Sequence, residues 1–441
     1  MLVGFDALLV VVLVLARMHW LASELGNPAM PAMVLAALLY VVADLLGRRD
    51  DARTFRIKLL LLGTIVFVYA VCPTIRLIAL RHASGKPWTW VHDNVIQMEE
   101  AMKFLLAGKN PYVENYLNTP LVHWDASSPA LYHSVNLPLQ FLLPLPFYLL
   151  LVHTIGWFDL RLVYLALFIV TAVLVHRLGR DRTASLALLA MFALGPFFTG
   201  TFVEGRNDIV VMALLAATML AWLRARTTAA MILLGLACAS KHTMFVMLPF
   251  AALAFADVGA DDSWTTILRR RLPRALVAMW PTWLTIALLL GPFVAWSPSG
   301  FWHSVISYPF GTAAHSYPIR GDNYGITPWM VVAGLVRSPS DYFPFAWIQL
   351  AVTLPVLIAL MRWQRRQRSL GAMLLAFALT VFVAQFTSRY FNENHLGFII
   401  FVVALGALMR QSAEEPKSAL GSVPAPVHAV VDDETPLAPP G

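Results

Sequence analysis

Polar and ionisable residues interrupt an otherwise apolar chain at a few separate points, and these residues could do chemistry. A carboxylate can accept a proton from a reacting hydroxyl group, and a lysine or arginine can hold an anion. Such groups are costly at membrane depth unless paired or hydrated, so they are candidates for a functional site. The main points are Asp93, the run 204–208, Lys241 with His242, and the run 389–395. We expect them to converge on one polar cavity.

The composition indicates which elements must position these residues. Of the 441 residues, 59% are hydrophobic and 13% are charged, whereas a soluble domain carries about 25% charged residues. The apolar runs are continuous and do not alternate, which argues against a membrane β-barrel. A soluble enzyme and a secreted disulfide scaffold are excluded as well. Since a membrane span takes roughly 20 apolar residues, the chain is predicted to be an all-α polytopic membrane protein with about 12 transmembrane helices.

The basic residues predict the topology of the chain. The net charge of +7 comes largely from four arginine-rich connections between apolar runs. They are residues 48–58, 177–182, 269–274 and 362–368. Short connections rich in Lys and Arg face the cytoplasm in membrane proteins. The basic excess therefore indicates orientation in a membrane, and it does not indicate a nucleic-acid partner.

The same pattern divides the chain into three parts. Residues 1–56 are predicted to form two extra N-terminal transmembrane helices and a cytoplasmic loop. Residues 57–410 are predicted to form the main transmembrane domain, with long extracytoplasmic loops at 81–158 and 298–341. The proline-rich run 137–152 in the first loop is expected to lie beside the membrane, because a span there would place the 177–182 connection on the wrong side. Residues 411–441 are predicted to be a disordered cytoplasmic tail.

The stretch that follows the third apolar run is the most informative part of the sequence. A short amphipathic helix is predicted from about Asp93 to a stop at Gly108, lying at the membrane interface. Asp93 also stands where a helix N-cap would be expected. The stretch continues as Leu-Leu-x-Gly-x-Asn-Pro-Tyr, ending at Tyr112. An Asp, an Ala eight residues later and this motif resemble the first extracytoplasmic loop of GT-C membrane glycosyltransferases.

Within that superfamily the sequence most resembles bacterial family 87, which includes polyprenol-phosphate-mannose-dependent mannosyltransferases. The turn from Gly205 to Asp208 resembles a Gly-Gln-x-Asn-like element of that group, with Arg206 in place of the expected Gln. The segment from Gly235 to His242, with Pro249 after it, resembles its lysine-bearing helix pair. The resemblance covers residues from about 57 to 410 and leaves out the two leading helices and the tail.

The resemblance implies a GT-C-like helical bundle with juxtamembrane helices in the first long extracytoplasmic loop. It implies a glycosyltransferase that moves a sugar, with mannose as the candidate, from a polyprenyl-phosphate donor to a lipid-linked or periplasmic acceptor. The transfer is expected to be inverting and metal-independent, without a cofactor. The expected location is a bacterial inner membrane, with the active site on the periplasmic face.

The resemblance and the chemistry of the residues together predict individual roles. A positioned carboxylate must accept the proton of the acceptor hydroxyl, and cations must stabilise the leaving phosphate. Asp93 is the expected general base. The expected donor-phosphate contacts are Lys241, His242, Arg389 and Arg206. The expected substrate contacts are Gln97, Glu100, Asn110, Tyr112, Glu204, Asn207, Asp208, Asn392 and His395. For Asn110 and Tyr112 a turn and an interface anchor are equally consistent with the sequence, and a polar interhelical turn is equally consistent for residues 204–208.

Two other functions remain open from the sequence. A transporter or lipid flippase predicts polar groups through the full membrane thickness and structural repeats. A polysaccharide polymerase or ligase that uses a polyprenyl-diphosphate donor predicts paired arginines in a large extracytoplasmic loop. The grouping of polar residues at the same predicted side of the membrane favours the glycosyltransferase.

Overall fold

A computed structural model describes residues 3–25, 29–48, 51–256, 258 and 262–411, and every regular element among them is helical. The predicted all-α class is therefore confirmed. The tail predicted for 411–441 lies outside the described residues from position 412 onward.

The helices follow one another with short connections except at the two long loops. The first half contains α1 (Phe5–Leu25), α2 (Ala29–Leu46), α3 (Ala52–Ser84), α4 (Asp93–Leu106), α5 (Leu139–Ile155), α6 (Arg161–Leu178), α7 (Arg182–Ala193) and α8 (Thr199–Glu204). The second half contains α9 (Asp208–Leu223), α10 (Thr227–Ser240), α11 (His242–Phe255), α12 (Trp264–Ala278), α13 (Trp280–Trp296), α14 (298–310), α15 (Thr327–Val332), α16 (Phe345–Gln367), α17 (Leu370–Phe386) and α18 (Glu393–Leu408).

Several of these helices suit a membrane. In the described residues, α3, α6 and α16 are each long and apolar enough to cross one. Helices α12 and α13 meet at a bend of 56° and make a fourth span if they count as one. Most other apolar helices have 10–17 residues, which is shorter than the roughly 20 that a straight span needs. The chain is a membrane protein with several transmembrane helices, and the number of about 12 spans stays a prediction.

The arginine-rich connections and the candidate site lie at opposite ends of the same helices. Helix α6 begins at Arg161, beside the site, and ends at the 177–182 connection. That connection meets the 48–58 connection, since the Arg182 guanidinium lies 5.8 Å from the centre of the Phe55 ring. The C-terminal end of α18 joins them, because the Arg180 amide donates to the Leu408 carbonyl at 3.0 Å. This separation of charge along the bundle agrees with the predicted orientation.

The apolar run 184–203, which hydropathy alone predicts to be one span, consists of two helices. Helix α7 ends at Ala193, and α8 begins at Thr199. The cause is Pro196, which has no amide hydrogen to continue the helix. The Thr199 hydroxyl closes part of the gap by donating to the Ala193 carbonyl at 2.9 Å. Helix α8 thereby leads into the 204–208 turn, which carries several candidate site residues.

A buried charge cluster holds the first two helices against α3. The Lys58 ammonium group lies 2.5 Å from the Asp6 carboxylate of α1 and 2.6 Å from the Asp44 carboxylate of α2. The Tyr40 hydroxyl donates to Asp6 at 2.7 Å. Because charges out of water are tolerable only when paired and hydrogen-bonded, this cluster fixes how α1 and α2 pack on α3.

Candidate active site

The predicted base lies in the first turn of α4. His92 is the N-cap residue of α4, and its Nδ1 lies 3.2 Å from the Asn94 amide nitrogen. The interpretation of Asp93 as the cap is therefore wrong. The Asp93 carboxylate lies 2.6 Å from His92 Nδ1, and about a fifth of its side chain is exposed (21%). The carboxylate is held by its neighbour and remains accessible.

The surroundings of Asp93 favour its ionised form. Burial raises the pKa of the carboxyl group, but three neighbours lower it more. They are the adjacent His92, the Asn94 amide hydrogen and the positive charge of Arg206. The net pKa lies below the usual aspartate value. The group is therefore a carboxylate at neutral pH, which is the form that accepts a proton.

A buried ion cluster fixes α4 to the ends of α3 and α6. Arg81 of α3 donates to both carboxylate oxygens of Glu99, at 3.0 and 2.7 Å, and to Asp159 at 2.9 Å. Arg161 donates to the same Asp159 at 3.0 and 2.8 Å. Forked arginine–carboxylate pairs add geometric specificity. Sequence analysis did not predict the pairing in this cluster, because its acids and bases come from distant segments.

The turn between α8 and α9 packs directly on α4. The His92 amide donates to the Glu204 carbonyl at 2.9 Å. Gly205 has φ of +105°, and a Cβ atom there would lie 2.4 Å from Val95 Cγ2. Both the backbone conformation and the close approach require glycine. The turn is therefore fixed next to Asp93.

A chain of side-chain amides extends this contact into the first long loop. Asn207 donates to Asn94 at 3.2 Å and to Asn136 at 2.6 Å. Asn136 donates to Gln97 at 3.3 Å. Gln97 in turn donates to the backbone carbonyls of residues 130 and 133, at 2.8 Å each. Two predicted substrate contacts, Gln97 and Asn207, thus lie in one network that holds the loop to α4.

The charged residues form a second network beside the turn. Asp208 accepts hydrogen bonds from Lys241 and from Asn394, the latter at 2.7 Å. Arg206 donates to Asn394 at 3.1 Å and to Glu393 at 3.0 Å. Lys241 stands in extended backbone between α10 and α11, which aims its side chain at the start of α9. The structure therefore joins three separate regions of the sequence at one end of the bundle.

Two histidines and two acidic or amide side chains border this network. His395 lies in the first turn of α18, where its Nδ1 accepts from the Asn392 amide at 3.4 Å. The Asn392 side chain donates to the Tyr317 hydroxyl at 3.3 Å. His242 follows Lys241 and contacts the Val305 backbone of α14. Glu204 is about half exposed (48%) and lies 3.8 Å from Arg206.

Four predicted site residues make their contacts elsewhere. Arg389 is buried, and its guanidinium donates to backbone carbonyls of the second loop, including that of Asp341 at 3.1 Å. Glu100 pairs with Lys103 at 2.6 Å. The Asn110 side chain accepts from the Tyr112 amide at 3.1 Å, and the Tyr112 hydroxyl donates to the loop backbone at 2.7 Å. These contacts shape the loops around the network.

The second long loop lies over the first. The Tyr132 and His315 rings stack with centroids 3.9 Å apart, and His133 Nε2 lies 2.6 Å from the Ala314 carbonyl oxygen. Tyr308, which is buried, stacks on His133 with ring centroids 5.0 Å apart, and burial raises the pKa of its hydroxyl group. The two long loops therefore contact each other close to α4.

Sequence reasoning missed Asn94, Asn136 and Tyr308 as parts of the site, and it gave the polar residue His92 no role there. His92 and Asn94 flank Asp93 and could have been found from that position alone. Asn136 and Tyr308 lie in long loops, where no periodicity indicates their direction. In the part of the chain that the structure describes, no three His, Cys, Asp or Glu side chains are grouped as metal ligands are.

The fold and the site define a class of protein. In a helical membrane bundle, acids and cations that are paired at one end mark a functional site. The family model of glycosyltransferase family 87 matches residues 136–412. The chain therefore belongs to glycosyltransferase family 87 and is a membrane glycosyltransferase of the GT-C type. No curated protein and no solved structure matches the chain.

The matched segment begins after α4. It contains Asp208, Lys241 and Asn394, whereas Asp93 precedes it. Membership favours the predicted glycosyltransferase over the transporter or flippase alternative. A sugar donor and a glycan or lipid acceptor follow from the family.

Proposed function

We propose that the protein transfers a sugar, with mannose as the candidate, from a polyprenyl-phosphate donor to a lipid-linked or periplasmic glycan acceptor. The observation that carries the proposal is the connection between a carboxylate and two cations. Asp93 lies within electrostatic reach of Arg206, and Arg206 is joined through Asn394 and Asp208 to Lys241. A base and a phosphate-binding group are the two parts that such a transfer requires.

In the proposed reaction Asp93 accepts the proton of the acceptor hydroxyl. The hydroxyl oxygen forms a bond to the anomeric carbon of the donor sugar while the bond from that carbon to the phosphate oxygen breaks. The bonding electrons leave with the lipid phosphate. A single displacement of this kind inverts the anomeric centre. The mechanism uses no metal and no cofactor, because the donor carries a phosphate that already stabilises negative charge.

Lys241 and Arg206 stabilise the departing phosphate in this proposal, with His242 beside them. Lysine acts as a point charge, whereas arginine offers a planar fork. In the free protein each cation is paired with a carboxylate, Lys241 with Asp208 and Arg206 with Glu393. Donor binding therefore requires the phosphate to share or replace these partners.

The remaining residues are proposed to shape the substrate pocket. Exposed carboxylates at Glu204 and Glu393 are suited to accept hydrogen bonds from sugar hydroxyls. Gln97, Asn207, Asn392 and His395 border the same space, and Glu100, Asn110 and Tyr112 support its wall. We assign Arg389 to holding the second loop, since its donors are directed at the backbone carbonyls of that loop.

We further propose that the site faces the periplasm from a bacterial inner membrane. Support comes from the four arginine-rich connections, since those at 48–58 and 177–182 meet at the end of the bundle opposite Asp93. Such connections mark the cytoplasmic side. In this arrangement residues 57–410 are the catalytic domain, α1 and α2 are an addition to it, and the segment after 411 is a cytoplasmic tail.

The test is single-turnover sugar transfer in nanodiscs with radiolabelled polyprenyl-phosphate and polyprenyl-diphosphate sugars. We expect the wild type to consume a monophosphate donor. Asp93→Asn should bind that donor and transfer its sugar about 10²–10⁴-fold more slowly, the usual contribution of a positioned base. The control is Asp322→Asn in the second loop, an exposed acid paired with Arg320 at 2.7 Å, which should not change the rate.

Each other outcome has a definite meaning. If Asp93→Asn transfers sugar at the wild-type rate, Asp93 is not the base. If the wild type consumes only diphosphate donors, the protein belongs with the polymerase or ligase enzymes. If no donor is consumed, the proposed donor class is wrong.

A further inference from the structure

The break between α7 and α8 is an irregular piece of backbone inside an apolar segment. Residues 194–198 join the two helices, and Pro196 prevents a continuous helix. Backbone carbonyls at such a depth need hydrogen-bond donors, because no water is available to them. The Thr201 hydroxyl supplies one of these donors, to the Phe198 carbonyl at 2.8 Å.

A second donor comes from the first helix of the chain. The Arg17 guanidinium of α1 donates to the Pro196 carbonyl and reaches the Gly195 carbonyl at 3.5 Å. The side chain is 9% exposed, and its charged end lies 5.7 Å from the centre of the Tyr69 ring in α3. Gly200 of α8 lies beside it, since a Cβ atom there would be in ordinary van der Waals contact with the guanidinium nitrogens, at 3.5 Å.

Helix α18 packs against the opposite side of the break. A Cβ atom at Gly397 would lie 2.7 Å from the Phe197 carbonyl oxygen, so the two backbones are in direct contact. Three residues before Gly397, Asn394 binds Asp208 and Arg206. From the break, α8 runs for six residues into the turn that contains Arg206 and Asp208. A shift of the break would therefore displace both partners of this network.

We propose that Arg17 is a positioning residue for the active site. By holding the carbonyls of residues 195 and 196, it fixes the direction of α8 and thereby the 204–208 turn against α4 and α18. The two additional N-terminal helices, which lie outside the matched segment 136–412, then serve catalysis by bracing that break. The inference rests on the proposed function only in so far as sugar transfer is one of its readouts.

Arginine suits this role better than other side chains do. Its guanidinium brings one nitrogen, Nη2, to two neighbouring carbonyl oxygens of one irregular segment, and its further N–H groups and planar shape hold the group in a fixed orientation. Lysine would keep the charge and lose the fork. Methionine would keep much of the length and lose every donor. The comparison of arginine, lysine and methionine therefore distinguishes the effect of the guanidinium shape from that of the charge, and both from the effect of packing alone.

The experiment compares Arg17→Met and Arg17→Lys with the wild type, and with Arg53→Met as the matched control at an exposed position near the start of α3. We expect Arg17→Met to lower kcat by roughly 10- to 100-fold, as small misplacements of a site do. The donor KM should change far less, and millimolar guanidinium should restore part of kcat. The kcat of Arg17→Lys should lie between those of the wild type and Arg17→Met, and the kcat of Arg53→Met should equal that of the wild type.

Hydrogen exchange of the intact protein in nanodiscs gives a readout that needs no activity. Arg17→Met should raise exchange within residues 199–208, and Arg53→Met should not. The proposal is overturned if Arg17→Met has the kcat and the hydrogen exchange of the wild type. It is also overturned if Arg17→Met loses kcat, guanidinium does not restore it, and hydrogen exchange within residues 199–208 does not rise. If Arg17→Met does not fold, Arg17→Lys decides by the same two measurements.

These readouts separate the two proposals. A wild type that consumes no donor contradicts the proposed function, and exchange alone then tests Arg17. An active wild type with an Arg17→Met variant that is equal to it in kcat and exchange contradicts only the role of Arg17.

Discussion

Asp93 differs from the other loop acids in what surrounds it. His92 and the Asn94 amide stabilise its negative charge from one side, and Arg206 does so from another, while burial opposes them. The result is a carboxylate that stays ionised at acidic pH. Of the ionisable residues near the site, it is the one that combines a lowered pKa with an accessible side chain at the start of an interfacial helix.

This arrangement predicts the acid limb of the reaction. A base works when it is ionised, and the pKa of Asp93 in the folded protein is lowered, so transfer should stay constant as the pH falls until below the usual aspartate range. His92→Gln removes the largest stabilising charge and leaves the effect of burial. The pKa of Asp93 should then rise, and the rate should begin to fall at a higher pH. The measurement is the single-turnover rate against pH.

His123→Gln in the first loop is the control for this prediction, because the His123 ring packs against that of Trp88, with centroids 4.5 Å apart. Its profile should match that of the wild type. An unchanged acid limb in His92→Gln would show that another group controls the rate.

At the residue scale, the sequence indicated which residues are candidates for the site, but it did not indicate which side chains they contact. Asp93 and Lys241 stood out because an ionisable side chain beside an apolar run is unusual. The pairing of Lys241 with Asp208 could not be predicted, since 33 residues separate them and no local pattern specifies the contact. Arg389 was predicted to bind phosphate from its position after a span, but its orientation depends on a loop whose course the sequence does not indicate.

At the scale of the elements, glycine decides how closely the 204–208 turn approaches α4. Gly205 combines a left-handed backbone with a neighbour, Val95, that leaves no space for a Cβ atom. Gly205→Ala should therefore push the turn away from α4 and separate Arg206 from Asp93. We expect a loss of kcat of about 10²-fold, as for misplacements of the order of 1 Å. Steady-state transfer assays check this.

The control for the turn is Gly63→Ala in α3, where a Cβ atom would meet nothing within 4 Å. That variant should keep full activity and should not lose stability, because alanine favours a helix. Full activity in Gly205→Ala would mean that the distance between turn and helix does not matter.

A break between two helices could be predicted from the sequence where polar residues separate two apolar runs. The pair α10 and α11 was predicted because Ser240, Lys241 and His242 interrupt the apolar pattern. The break between α7 and α8 was missed because its residues are nearly all apolar, so hydropathy continues through it. Pro196 was the available signal, but prolines also occur inside intact helices of this chain, such as Pro355 in α16.

At the scale of the whole molecule, the two long loops contact each other, and a buried arginine of the helical bundle holds the second loop in place. Arg389, between α17 and α18, holds the second loop through carbonyls of residues 317, 339 and 341. Arg389→Gln should loosen this loop. We expect the donor KM to rise roughly tenfold, corresponding to about 1.4 kcal/mol, and proteases to cut residues 312–342 faster. Limited proteolysis and transfer kinetics measure the two effects.

Arg320→Gln is the control for the loop, since Arg320 is exposed and pairs with Asp322 within the same turn. It should change neither quantity. A loss of kcat in Arg389→Gln without faster proteolysis would instead support the direct phosphate contact that the sequence predicted.

The fold class was predictable from composition alone, because a chain with so few charged residues has few alternatives. The number of spans was not, since several apolar helices of 10–17 residues leave their depth in the membrane undefined by length. The proposed side of the membrane rests on the arginines, whose clustering can be recognised without knowing which helix packs on which.

The pairing of Lys241 with Asp208 makes the counter-ion of the proposed phosphate site a side chain of the protein itself. When the cation of a binding site is paired with salt anions from solution, a phosphate that binds releases those anions. The affinity of such a site for phosphate falls steeply with ionic strength. Here the anion that the donor phosphate would displace is the Asp208 carboxylate. It remains attached to the protein close to Lys241, so its local concentration does not depend on the buffer. Donor affinity in this protein should therefore depend only weakly on salt, and Asp208, once displaced, returns as soon as the lipid phosphate leaves.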